Sequence, residues 1–304
     1  MIRVAVVGAG QMAQRVYLPV LARREDVSLA VLAEPREDAR RHVGRAYRFD
    51  RAVASADDIA EGEAECAFLL TRPADRRGPL GRLMELGLHV LSEKPMAADL
   101  AQAEQFVELA RRRGRILMIG FNRRFMPAYR RAKEFLTGRR VETCRVWKQG
   151  GDLWGHAIHV LDVLRWFCGE AVEVQADGNL GPSGAETAVA ALIRFDSGAL
   201  GVFETSADFG MRKDELEAHG EGFSLRVYAP DKVIMYEGGR EETYRHGKDA
   251  WYVEAERHFG FTEQIEHFLQ AVRTGSKPTC SAEDALESHR LAARILERVR
   301  RRAG

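Results

Sequence analysis

Near the start of the chain, Gly8-Ala9-Gly10-Gln11-Met12-Ala13 directly follows a short apolar run and opens a helical pattern. Gly8 permits a tight turn, Gly10 lets a phosphate approach the backbone, and Ala13 allows close helix–strand packing. The N–H groups at such a helix start face an anion. The chemistry implied is dinucleotide binding, with Gly8, Gly10, Gln11 and Met12 as candidate contacts. Glu34 ends the next apolar run, 24 residues after Gly10. An acid there accepts hydrogen bonds from ribose hydroxyls and repels a 2′-phosphate, which favours NAD over NADP. Arg36, two residues on, could contact such a phosphate and pulls the other way.

Thr71-Arg72-Pro73 and Glu93-Lys94-Pro95 each follow an apolar run. In an open α/β sheet the carboxyl ends of strands face the cofactor, so both turns are candidate contacts. Lys94 stands out because the chain has 7 lysines against 39 arginines. A lysine can lower its pKa on burial, and arginine cannot. His156 and His159 lie one helical turn apart in the segment HAIHVLDVLRWFC. Imidazole titrates near neutral pH and can move a proton. Two histidines at this spacing could also ligate a metal, but no third ligand is apparent and no metal is expected. Asp162 reads as an orienting or capping group, Arg124 as a support for a substrate anion or a structural ion pair, and Tyr17 and Trp154 as candidate pocket walls. Residues 249–252 lie in a polar, glycine-containing stretch.

These residues need elements to hold them. Apolar runs at 4–7, 27–33, 66–70, 89–91 and 116–119 alternate with helical patterns at 11–24, 36–44, 76–87 and 98–113, the last two stopped by Gly87 and Gly114. Such alternation predicts βαβ units and a doubly wound parallel sheet of Rossmann type over residues 1–119. After residue 120 the pattern changes. Helices are expected at 127–137, 156–168, 260–274 and 282–302. Strands are expected at 141–148, 171–177, 187–195, 199–207, 213–219, 223–229 and 232–237. Residues 120–304 therefore read as a second α/β domain with a largely antiparallel sheet. Composition sets the outer limits. Lys plus Arg is 46 and Asp plus Glu is 45, so a globally basic nucleic-acid binder is not expected. Apolar residues at 45% exclude disorder as the main state. No apolar run reaches the length of a membrane helix. The first residues lack a signal-peptide cleavage pattern. Four widely spaced cysteines form no CxxC pair, so a zinc site or disulfide framework is not indicated and a cytoplasmic setting is expected. The arginine-rich helix ends at 111–113 and 298–302 suit solvated termini.

In order along the chain, the GAGQMA turn, Thr71-Arg72-Pro73, Glu93-Lys94-Pro95, residues 120–127 (GFNRRFMP), Gly150-Gly151 and residues 159–162 (HVLD) together resemble the Gfo/Idh/MocA oxidoreductases, and most of all their MviM-like subgroup. The resemblance implies a Rossmann domain, a C-terminal α/β domain with an open sheet, and hydride transfer with NAD or NADP on sugars, cyclitols or related small molecules. It also implies homodimers or homotetramers built on that sheet. It assigns Lys94 and His159 to the active site, with Glu93 and Pro95 holding the lysine. The family pattern places an aspartate four residues before the histidine, where this chain has Gly155. His156 could take part of that role, and Asp152 is another candidate. Two other readings follow from this departure. One is a catalytically depleted sensor of NAD(H) or sugar. The other is an enzyme that uses bound NAD for transient oxidation or for imine reduction. Arg72 and Arg76 also depart from the family pattern, which commonly has proline and histidine there.

Overall fold

The computed structural model describes residues 1–150, 152–207, 210, 214–247 and 254–303. Gly151 and the 249–252 segment lie outside the described residues. Near-continuous apolar runs make strands buried on both faces, as a parallel sheet requires. They are β1 (Ile2–Val7), β2 (Val27–Ala33), β4 (Cys66–Leu69), β5 (His89–Ser92) and β6 (Leu117–Ile119). With the short, polar β3 (Arg51–Val53), which has no apolar pattern to announce it, they form a six-stranded sheet. Its order is β3-β2-β1-β4-β5-β6 and every pair is parallel. The connecting helices are α1 (Leu18–Ala22), α2 (Glu37–Ala46), α3 (Arg77–Glu85) and α4 (Leu100–Arg113). The glycine turn does not lead straight into an α-helix. Residues Ala13–Tyr17 form a wider π-helical turn that runs into α1.

The second part of the chain holds α5 (Pro127–Phe135), β7 (Val141–Gln149), α6 (Ile158–Cys168), β8 (Ala171–Leu180), β9 (Glu186–Phe195) and β10 (Leu200–Ser206). There follow β11 (Asp214–Gly220), β12 (Phe223–Tyr228), β13 (Lys232–Glu237), β14 (Arg240–Arg245) and α7 (Ala255–His258). The sheet order is β14-β13-β12-β11-β7-β10-β9-β8, antiparallel except for β7 with β10. β14 and α7 were not expected from sequence, since both are short and mostly exposed. α6 packs on β7 and β10, and α5 on β12 and β13. On β9, Val189, Ala191, Ile193 and Phe195 are buried while Ala190, Leu192 and Arg194 are exposed. One face of β9 is thus covered within this chain.

A single division at residue 119/120 does not describe the chain. The compact units are Met1–Gly120 with Phe261–Leu286, and Phe121–Gly260 with Glu287–Gly304. The return is made by α8 (Phe261–Thr274), whose Ile265, Phe268, Leu269 and Ala271 are buried. Phe268 meets Phe68 edge-on at 5.4 Å, and Phe261 meets Tyr17 at 6.0 Å. Burial of each such side chain contributes about 1.5–3 kcal/mol. Beyond α8, Cys280 accepts the Ile119 N–H at 2.9 Å beside β6. The last helix, α9 (Ala282–Ala303), starts in the first unit and belongs to the second from Glu287. All four cysteines are buried free thiols.

Candidate functional site

The sheet order makes β1, β4 and β5 neighbours, so the turns after them share one edge of the first unit. Gly8 has φ +99°, and its N–H donates to Ala33 at 2.8 Å. A Cβ there would lie 3.2 Å from the Leu70 carbonyl carbon, so strain and space both demand glycine. A Cβ on Gly10 would meet nothing within 4 Å. The space a phosphate needs is therefore open at Gly10, with exposed Gln11 and Met12 beside it. Helical bonding starts with the Gln14 N–H donating to Gly10 O at 3.1 Å, which leaves the earlier N–H groups at the helix start.

Glu34 is buried at the end of β2. Its Oε2 accepts the Ala9 N–H at 2.7 Å, which ties the acid to the glycine turn. Its Oε1 accepts the Arg36 N–H at 3.0 Å and Arg36 Nε at 2.9 Å. Burial alone would raise the Glu34 pKa, but the Arg36 and Ala9 donors outweigh it and hold it below the usual carboxylate range. The Arg36 guanidinium, which could contact a phosphate, rests here on the carboxylate of Glu34 two residues away. After β4, the Thr71 hydroxyl is buried with no hydrogen-bond partner among the described residues. Arg72 is exposed and pairs with Asp75 at 2.8 Å, and Pro73 starts a 3-10 turn.

The turn after β5 is held from three sides. Arg76, 2% exposed, donates to the carbonyls of Glu93 and Pro95 on either side of Lys94, and to Thr71 O at 2.8 Å. Burial brings its pKa down to about 10. Tyr17 OH donates to Glu93 Oε1 at 2.6 Å and accepts from Gln264 Nε2 at 3.0 Å. Glu93 Oε2 accepts the Lys94 N–H at 3.0 Å. Glu93, expected among the cofactor contacts, is buried and spends its carboxylate on shaping this turn. Tyr17, expected as a pocket wall, is fully buried, and burial followed by the Glu93 charge raises its pKa well above normal. The open space at Gly10, the buried Thr71 hydroxyl and Glu34 at the β2 end fit a dinucleotide. Gln264 is the supporting residue that sequence reasoning did not single out, while Tyr17 and Arg76 were noted there in other roles.

In the second unit, His159 is buried on α6 and its ring meets Phe121 edge-on at 6.0 Å. His156 is exposed on the π-helical turn Leu153–Ala157 that precedes α6. Asp152 caps this turn: Oδ1 accepts the Gly155 N–H at 2.8 Å, and Oδ2 lies 3.4 Å from His156 Nδ1. A Cβ on Gly155 would overlap Asp152 Oδ2. On the same helix as His159, Asp162 forms a buried ion pair with Arg124. Ser288 Oγ donates to Asp162 Oδ1 at 2.7 Å and accepts from Arg165 Nε at 3.1 Å. Trp154 packs on the buried His289 at 5.1 Å. No group of three metal-ligating side chains converges among the described residues, and none of their helices is long and apolar enough to cross a membrane.

Two family models match the chain. Residues 2–121 match the oxidoreductase family with an NAD-binding Rossmann fold, and residues 101–226 match the GFO/IDH/MocA C-terminal domain. The chain belongs to the Gfo/Idh/MocA oxidoreductase family. Myo-inositol 2-dehydrogenase of Thermotoga maritima is 25% identical over 311 residues, covering 93% of this chain and 91% of that protein. Mouse trans-1,2-dihydrobenzene-1,2-diol dehydrogenase is 24% identical over 330 residues, covering 100% and 97%. The crystal structure of the dehydrogenase MviM from Clostridium difficile superimposes with a TM-score of 0.87 at 25% identity, over 98% of this chain and 99% of that one. Membership makes this chain a nicotinamide-dependent oxidoreductase of the dehydrogenase type, with the parallel sheet as its nucleotide-binding half.

Proposed function

We propose that the protein catalyses reversible hydride transfer between a nicotinamide and a hydroxyl- or carbonyl-bearing carbon of a small polyol, a sugar or cyclitol, with NAD preferred to NADP. The carrying observation is the shared sheet edge, where the glycine turn, Thr71 and the clamped Lys94 turn follow three neighbouring strands. The relatives' names support a cyclitol or diol substrate. Bound nicotinamide supplies the hydride acceptor or donor. Lys94 hydrogen-bonds and polarises the reacting oxygen. His159 and His156 move its proton, as base in oxidation and acid in reduction. Glu34 accepts from the ribose hydroxyls while Arg36 neutralises part of its charge. The exposed face of the antiparallel sheet pairs two or four copies, and the enzyme works in the cytoplasm without nucleic acid or membrane.

Calorimetric titration of NADH and NADPH onto the cofactor-free protein tests the first half. Tighter NADH supports the Glu34 reading, tighter NADPH reverses it, and binding of neither defeats the proposal. Turnover of a polyol panel led by myo-inositol tests the second half. Lys94→Ala and His159→Ala should each lose about a hundredfold or more, and activity within about threefold of wild type would refute their roles.

A further inference from the structure

We infer that Asp152 is a positioning residue for proton transfer, with His156 as the histidine it serves; the catalytic consequence rests on the oxidoreductase reading above. The turn that carries this pair is fixed by its own backbone. Asp152 O accepts the N–H groups of His156 at 2.9 Å and Ala157 at 3.0 Å. Its Oδ1 accepts the Gly155 N–H at 2.8 Å, so the carboxylate cannot swing away without losing its cap. That leaves Oδ2 facing His156 Nδ1 at 3.4 Å. Gly155 makes this placement possible. Any side chain there would begin inside Oδ2 and 3.0 Å from Asp152 Cγ. The missing side chain at position 155 is therefore the condition for a carboxylate to occupy the same space from position 152.

A carboxylate 3.4 Å from Nδ1 favours, through its charge, the neutral tautomer that carries the proton on that nitrogen and leaves Nε2 bare. The His156 side chain is 69% exposed, so its ring is reachable from solvent, as a proton carrier for a substrate hydroxyl must be. During oxidation the alcohol O–H proton passes to Nε2 while the carbon–oxygen double bond forms and the C–H hydride leaves to the oxidised nicotinamide. Reduction returns the same proton from Nε2.

The test is the tautomer of His156, read by nitrogen NMR on the full-length, histidine-labelled protein through a pH series and taken on the plateau of the neutral ring. His156→Gln assigns the signal. Wild type should show the proton on Nδ1. In Asp152→Asn the amide oxygen still caps Gly155, because Asn caps as well as Asp. Its NH2 then faces the ring and donates to Nδ1, which moves the proton to Nε2. Melting temperature should be unchanged. With NAD and myo-inositol, kcat should fall about a hundredfold while KM stays within about threefold. The same tautomer in both proteins, or an unchanged kcat, would overturn the inference. If wild type turns over no polyol, the substrate reading fails, and the tautomer result still decides the pair.

Discussion

Arg124 grips Asp162 through two contacts, Nε–Oδ2 at 2.8 Å and Nη2–Oδ1 at 2.6 Å, with side chains only 4% and 0% exposed. Both charges are satisfied, and Ser288 adds a third donor to the acid. Because α6 carries Asp162 one turn after His159, this pair anchors the helix that presents the histidine.

Breaking that pair should cost far more than replacing it. Arg124→Met or Asp162→Ala leaves a buried charge alone and should lose about 3–5 kcal/mol in urea unfolding. The double variant Arg124→Met/Asp162→Leu should recover most of the loss, since a buried pair is worth little against well-packed apolar groups. Single losses under about 1 kcal/mol would contradict the buried-pair account.

Arg76 should matter through the lysine turn it clamps. Arg76→Met removes donors from three carbonyls around Lys94, at a cost of about 1–3 kcal/mol for each acceptor left unmet in the interior. Turnover of myo-inositol should fall about tenfold or more, since small misplacements of catalytic groups are expensive. Cofactor affinity should change less than kcat. Equal losses in both would place Arg76 in nucleotide binding instead.

Cofactor preference should respond to Glu34 and Arg36 in opposite directions. Glu34→Ser removes the ribose acceptor and leaves Arg36 free for a 2′-phosphate, so the NADH to NADPH affinity ratio should drop about tenfold or more. Arg36→Ala should raise that ratio. Calorimetry on the two variants measures both, and ratios that move together would refute the pairing as the determinant.

Acid should unfold the protein in a defined window. Burial would raise the Asp214 pKa, but Arg123, with Nε 2.6 Å away, and Lys148, 2.7 Å away, lower it overall. Glu34 is lowered in the same sense. A carboxyl depressed in the folded state adds stability above its unfolded pKa, about 4, and loses it as pH falls through the lower folded value. The urea midpoint should hold from about pH 7 to 5 and fall below about pH 4. Asp214→Asn should lower the midpoint at neutral pH and flatten the acid limb, and a wild-type midpoint that rises on acidification would contradict this.

Leu192, 47% exposed on β9, tests the sheet as an association surface. Leu192→Asp should shift sedimentation toward single chains while changing unfolding by no more than about 0.5 kcal/mol. Unchanged sedimentation would move the contact elsewhere.

Much of the fold was legible along the chain. Buried parallel strands are unbroken apolar runs and their crossover helices are amphipathic, so β1, β2, β4, β5 and β6 and the second, largely antiparallel sheet could be read before any contact was known. The glycine turn, Glu34 at the end of β2 and the helix of His159 were legible too, because each is a local pattern, although that helix starts at Ile158 and His156 lies on the π-helical turn before it. β3, β14 and α7 were not, since short polar elements bury no periodic face. The supports of the site were hidden for a different reason. Tyr17 reaches Glu93 across 76 positions, and Gln264 reaches Tyr17 across 247. Arg76 closes on carbonyls, which every residue carries. Periodicity records which face of one element is buried. It carries no trace of which polar group elsewhere will satisfy a buried donor, because that choice is made only when the elements pack.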